Sequence, residues 1–233
     1  MNWWTEAFGD FQDIQWYTLA IAAAAIAAGV IGAVRYTRRH GKDSVTKMQW
    51  TTHELTTAAL CVGLSFLLSF IKLFSMPAGG SITAFSMLPI LAFSYIYGVR
   101  KGILTGLVYS LLQFIQEPFI LSPMQVILDY PLAFGALGFA GLARRSIVPG
   151  ILYGIGGRFV CSWISGIVFF ADYAPEGMPG WLYSLEYNGT VMGVEAALCV
   201  AAAMIPALSK MLKRERAKAE RMHAAQHVTQ SIG

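Results

Sequence analysis

Charge is what this sequence has least of. Only 13% of its 233 residues are Asp, Glu, Lys or Arg, while 56% are hydrophobic. A water-soluble domain carries about 25% charged residues, so an ordinary soluble globule is excluded. Cysteine is also scarce. Cys61, Cys161 and Cys199 lie in apolar segments with no CxxC spacing and no His in a ligand pattern. They are read as small buried hydrophobes rather than as a zinc site or a disulfide framework. There is no GxxxxGK[ST], no HExxH and no GxSxG, hence no recognisable route to nucleotide, peptide or ester hydrolysis. Neither a nucleophile–base pair nor a metal cluster supports an enzyme, and no cofactor or metal is implied. The ten-residue in/out alternation of a membrane β-barrel is missing as well.

What the sequence has instead is long apolar runs. Tyr17 to Val34 is nearly unbroken Ala, Ile, Val and Gly, and Leu55 to Ile71 is almost as apolar. A helix rises about 1.5 Å per residue, so roughly 20 residues cross a hydrocarbon core. Seven spans are expected, at 15–35, 53–73, 83–99, 102–116, 123–143, 147–171 and 181–210. The connections sort by charge. Basic residues fill 35–50, recur as Arg100-Lys101 and Arg144-Arg145, and return in the tail from Lys210. The opposite loops hold Lys72 but otherwise Glu117, Asp172 and Glu176. The net charge of +4 therefore marks cytoplasmic loops rather than nucleic-acid contact, and places the N-terminus outside and the C-terminus in the cytoplasm. The first run has acids before it and bases after it, so it is expected to be a retained span, not a cleaved signal peptide. The outer loops are rich in Gly, Pro and aromatics, which suits either plain turns or lids over a site. Residues 213–233 are expected to extend the last helix briefly and then to be disordered.

Polar side chains inside spans need an account, because hydrocarbon makes them costly. Asp129, Ser162 and Asn188 fall on three different helices, at depths of roughly 9, 13 and 10 Å below the outer face. Tyr130, Phe169, Phe170, Tyr183 and Tyr187 lie near that level, with Phe119 and Trp181 in the outer loops. A carboxylate ringed by aromatics suits a flat organic cation; a structural salt bridge and an interfacial aromatic belt are the alternatives. Arg158 sits too deep to snorkel, on one helix face with Ser162, Ser165 and Phe169. It is expected to pair with Asp129 or to touch a ligand. Gln125 is one turn from Asp129. Asn188-Gly189-Thr190 has the form of a glycosylation sequon but falls within a span.

Three stretches carry a resemblance. They are Gly79-Gly80-Ser81-Ile82 with Met87-Leu88-Pro89-Ile90, then Pro123 to Phe134 around Asp129-Tyr130-Pro131, and then Ser165 to Phe170 with Tyr173-Ala174-Pro175 and Trp181 to Asn188. Over about residues 50–212 the chain resembles the thiamine-specific substrate-binding subunit (S-component) of energy-coupling factor transporters. The resemblance implies an all-α membrane protein with a six-helix bundle at 51–212, preceded here by one extra N-terminal transmembrane helix and basic linker at 1–50 and followed by the tail 213–233. It implies thiamine as ligand, membrane lipid as surroundings, and a transmembrane coupling subunit with two cytoplasmic ATPases as partners, in the bacterial cell membrane. The implied ligand-binding residues are Asp129, Tyr130, Phe119, Ser162, Gly166, Phe170, Tyr183, Asn188 and Arg158. Gly166 would let the ligand approach the helix.

Two positions depart from that family. Ser162 stands where a ligand-contacting His is common, so a thiamine precursor (the pyrimidine or thiazole part) is the alternative ligand, and a solitary cation-coupled transporter the alternative mode. The first bundle helix offers Ala59-x-x-x-Gly63 instead of Ala-x-x-x-Ala for docking a coupling subunit.

Overall fold

The computed structural model describes residues 50–76 and 80–232; the expected span at 15–35 and the linker behind it lie outside the described residues. Helix α1, Thr52–Ser69, begins in a capping box. The Thr51 hydroxyl accepts from the Glu54 amide at 3.2 Å, and the Glu54 carboxylate accepts from the Thr51 amide at 2.9 Å. Glu54 is only 1% exposed. It takes Lys101 Nζ at 2.5 Å, and that ammonium also lies 5.6 Å from the centre of the Trp50 ring.

The chain then forms an antiparallel hairpin, β1 Lys72–Ser75 and β2 Ser81–Thr83. The expected spans 53–73 and 83–99 are both shortened by it. Phe85 adopts φ +63° in the turn behind β2, and Pro89 in the first turn of α2 favours a helix start there. Helix α2, Leu88–Tyr97, has ten residues and stops at Gly98, whose φ of +90° favours glycine. Helix α3 is Val99–Gln116.

The fourth helical stretch, α4, is Pro123–Leu142 and is not uniform. An α-turn at Pro123–Ile127 passes into a π-helical segment, Leu128–Leu132, then a short α-turn and a 3-10 stretch, Ala136–Leu142. Pro131 has no N–H to donate, and the Ala133 amide donates to Leu128 O, five residues back. Helices α5, Ile147–Phe169, and α6, Gly180–Met204, follow. Helix α5 packs against α6 and against the 3-10 part of α4. The bundle core holds Leu91, Tyr95, Tyr109, Leu137 and Ile151, all 2% exposed or less.

Among the described residues, α4, α5 and α6 are each long and apolar enough to cross a membrane. Outward-facing Leu60, Leu67, Leu111 and Ile115 are 62–75% exposed, which suits a lipid-facing surface. The last span was expected to run to 210. It ends at Met204, where Ile205 is extended and Pro206 opens a new helix, α7, Pro206–Ile232. The expected disordered tail is thus helical through Ile232. Helix α7 is held to the bundle by buried Leu212 and Ala219. Its Arg216 donates to Ala143 O and lies 4.7 Å over the Tyr95 ring. These contacts gather the last residues of α2, the end of α4 and the start of α7 on the side where the sequence clusters its Lys and Arg.

Candidate functional site

At the other end, a cavity of about 440 Å³ opens between the hairpin, α3, α4, α5 and α6. That lies within the roughly 300–1,000 Å³ range of small-molecule sites. All nine expected residues line it: Phe119, Asp129, Tyr130, Arg158, Ser162, Gly166, Phe170, Tyr183 and Asn188. The sequence-level depths thus correspond to one place.

Asp129 sits in the π segment. Its Oδ2 accepts from Gln125 Nε2 at 2.7 Å and from Ser165 Oγ at 2.8 Å. Both bonds fall on one oxygen. Among the described residues, no ion pair involves Asp129. The expected Arg158–Asp129 pairing does not form. Arg158 Nη1 instead lies 3.9 Å from Glu195 Oε2 and 2.8 Å from Met87 Sδ, and its guanidinium covers the Phe134 ring at 4.2 Å. Glu195 of α6 is only 4% exposed and draws Arg158 toward α6. Asp129 therefore faces an aromatic cavity with no ion pair of its own among the described residues.

Phe119 and Phe170 stack at 5.6 Å with an interplanar angle of 20°. Tyr183 and Tyr187 lie 5.9 Å apart. The Tyr130 hydroxyl is already engaged. It donates to Glu117 O at 2.6 Å and accepts from the Phe119 amide at 3.0 Å, so Tyr130 fixes the loop that carries Phe119. The Asn188 Nδ2 donates to Ser162 O at 3.3 Å and to Ser184 O at 3.1 Å, which leaves its carbonyl oxygen for the cavity. Of the expected stripe on α5, Arg158 and Ser162 line the cavity and Ser165 reaches Asp129, but Phe169 packs against Leu128 and Ile164 outside it.

Gly166 lines the cavity, but its necessity comes from helix packing. A Cβ there would stand 2.1 Å from Ser184 Oγ and 2.8 Å from Ser184 Cβ. Overpacking of this kind costs about 1–3 kcal/mol. Gly166→Ala should lower the thermal unfolding midpoint by about 5 °C, and adding Ser184→Gly should recover part of it in the same melting assay.

The sequence reasoning missed Glu195, Thr83 and Ser86, which line the deep side of the cavity. Glu195 was findable: an acid midway along α6 carries the same cost that drew attention to Asp129. The outer rim is closed by Lys72, whose ammonium pairs with Glu117. Among the described residues, no group of three or more His, Cys, Asp or Glu could hold a metal ion.

Comparison with known proteins agrees with this architecture. The family described as "Thiamine transporter protein (Thia_YuaJ)" matches residues 55–214. The thiamine transporter ThiT of Bacillus subtilis (strain 168) is 36% identical over 162 residues, covering 61% of this chain and 84% of the relative. The thiamine transporter ThiT of Lacticaseibacillus paracasei is 30% identical over 125 residues, covering 45% of this chain and 62% of the relative. A solved structure of ThiT from Listeria monocytogenes superposes with a TM-score of 0.60 at 24% identity, covering 69% of this chain and 96% of that one; at that identity it speaks to the fold. The family is one of transport proteins rather than enzymes. This chain is a membrane protein and belongs to the thiamine transporter protein (Thia_YuaJ) family.

Proposed function

We propose that this chain is the thiamine-binding subunit of an energy-coupling factor uptake system in the bacterial cell membrane. The observation that carries the reading is Asp129, a carboxylate without an ion pair among the described residues, set in a cavity walled by Phe119, Phe170, Tyr130 and Tyr183. Thiamine brings a permanently charged thiazolium ring. The carboxylate supplies its counter-charge, and each aromatic face adds roughly 0.5–2 kcal/mol once water is excluded. Arg158, Ser162 and the Asn188 carbonyl supply polar partners for the rest of the molecule. Gly166 contributes indirectly, by letting α6 bring Asn188 close to α5.

A carboxylate without an ion pair of its own favours a ligand that carries the cation. The pyrimidine part alone lacks it, so this geometry supports whole thiamine over that fragment. The chain has no nucleotide-hydrolysis motif. Uphill uptake therefore calls on a transmembrane coupling subunit and two cytoplasmic ATPases, with the basic end of the bundle and α7 facing the cytoplasm and the cavity facing outward.

None of the tryptophans among the described residues lines the cavity, so calorimetry is a more direct readout than tryptophan quenching. Titration of the purified chain with thiamine should show saturable one-to-one binding, with the pyrimidine fragment competing poorly. Absence of thiamine binding would overturn the reading, and equal competition by the pyrimidine fragment would reassign the ligand.

A further inference from the structure

The deep wall of the cavity contains a hydrogen-bond chain whose direction is fixed by its chemistry. Glu195 Oε1 accepts from the Thr83 amide at 2.8 Å and from Thr83 Oγ1 at 2.5 Å. A carboxylate only accepts, so the single hydroxyl proton of Thr83 is committed to Glu195. The 2.6 Å contact between Thr83 Oγ1 and Ser86 Oγ must then be donated by Ser86. The other carboxylate oxygen, Oε2, faces Arg158 Nη1 at 3.9 Å. Glu195 on α6 thus holds two separate pieces of the cavity, with one oxygen for each. Oε1 holds β2, and Oε2 draws Arg158 of α5.

Arg158 has little else to hold it. Its other contacts are a thioether and a ring face, and its buried Nε has no hydrogen-bond partner among the described residues. Beside β2, the Gly80 amide also ties to α6, donating to the Tyr187 hydroxyl at 3.0 Å. The guanidinium's placement and the deep end of β2 therefore share one carboxylate, while Lys72 pairing with Glu117 and buried Ile82 hold the rest of the hairpin.

We propose that Glu195 is a positioning residue for ligand retention, fixing the β1–β2 hairpin against α6 with one oxygen while aiming Arg158 into the cavity with the other. The inference rests on the thiamine-binding reading above, but it has a consequence that needs no ligand.

The two arms separate by substitution. In Glu195→Gln the amide oxygen still accepts from Thr83, but the amide N–H₂ meets the Arg158 donors and the charge is gone. In Thr83→Val the Oγ1 bond is lost and the Arg158 arm is untouched. Both variants should release radiolabelled thiamine at least tenfold faster than the unmodified chain. Glu195→Ala, which cuts both arms, should release it faster than either. Without ligand, hydrogen–deuterium exchange should show the amides around Thr83 losing protection in Glu195→Ala and in Thr83→Val, and retaining it in Glu195→Gln. Wild-type release rates in both Gln and Val variants, or unchanged exchange around Thr83 in Glu195→Ala, would overturn the proposal. Failure of the unmodified chain to bind thiamine would overturn the functional reading alone, and the exchange result would still decide the role of Glu195 toward the hairpin.

Discussion

Asp129→Asn should weaken thiamine binding by about a hundredfold or more, with little change in thermal stability. The substitution keeps the shape. The asparagine carbonyl oxygen can still accept from Gln125 Nε2 and Ser165 Oγ, now at 2.7 and 2.8 Å from Oδ2. What disappears is the charge. Removing one member of a desolvated charge pair costs roughly 2–5 kcal/mol, and each 1.4 kcal/mol is about tenfold in affinity. Because Asp129 has no ion pair among the described residues and the cation in the same cavity, Arg158, lies against Glu195, the substitution breaks no contact pair in the ligand-free protein. The loss should therefore appear in calorimetric affinity and not in the melting curve. Equal affinities for the two proteins would mean that the carboxylate does not meet the thiazolium. A large drop in melting temperature with unchanged affinity would make Asp129 structural.

The second large effect is expected far from the cavity, at Lys101. Its ammonium lies 2.5 Å from Glu54, and the two residues are 7% and 1% exposed. Lys101→Met removes the cation and leaves a buried carboxylate with its charge uncompensated by Lys101. Breaking a buried pair from one side costs about 3–5 kcal/mol, enough to lower the unfolding midpoint by about 10 °C in a chain of this size. The double variant Glu54→Gln/Lys101→Met should recover most of that, because glutamine is neutral and can still accept from the Thr51 amide. Melting of the two single variants and the double variant tests this. An unchanged midpoint for Lys101→Met would show that the pair contributes nothing to the fold.

The site was more legible in the sequence than the pair at Lys101. Hydrocarbon penalises every polar side chain, so Asp129, Ser162 and Asn188 stood out by type and depth, and they line the same cavity. That argument locates residues along a helix but not around it. It therefore placed Arg158 at the right level but left open whether it pairs with Asp129 or faces a ligand, and of these the ion pair with Asp129 does not form. Asp129 and Glu195 are both acids within spans, and only the packing of α5 between α4 and α6 decides which of them the guanidinium approaches. Tyr130 shows another limit. It lines the cavity as expected, but the sequence could not show that its hydroxyl also bonds Glu117 and Phe119 and so holds the loop.

The element boundaries failed for local reasons. Apolarity continues through Leu73 and Phe74, so hydropathy cannot show that the backbone there is extended and paired with β2. Lys101 was read as a loop charge beside a helix start, and Glu54 fell inside an expected span with no partner assigned. Their mutual burial is a tertiary fact. Beyond Lys213 the composition is polar enough to suggest disorder, but Leu212, Arg216 and Ala219 give α7 a face that fits the bundle.

The π-helical segment at Leu128–Leu132 has a consequence for how such a site can arise and be lost. A π turn takes up one more residue than an α turn over the same rise, so it has the form of a single-codon insertion in an otherwise ordinary helix. Removing one residue between Leu128 and Leu132 would let α4 close an ordinary turn, apart from the N–H that a proline lacks, and the helix on either side would keep nearly the same facing, because the widened turn had already absorbed the extra residue. The change would be local, at the turn that presents Asp129. The binding wall of α4 is thus inherited partly as a length, and a one-residue deletion there would be felt at the carboxylate rather than along the whole helix.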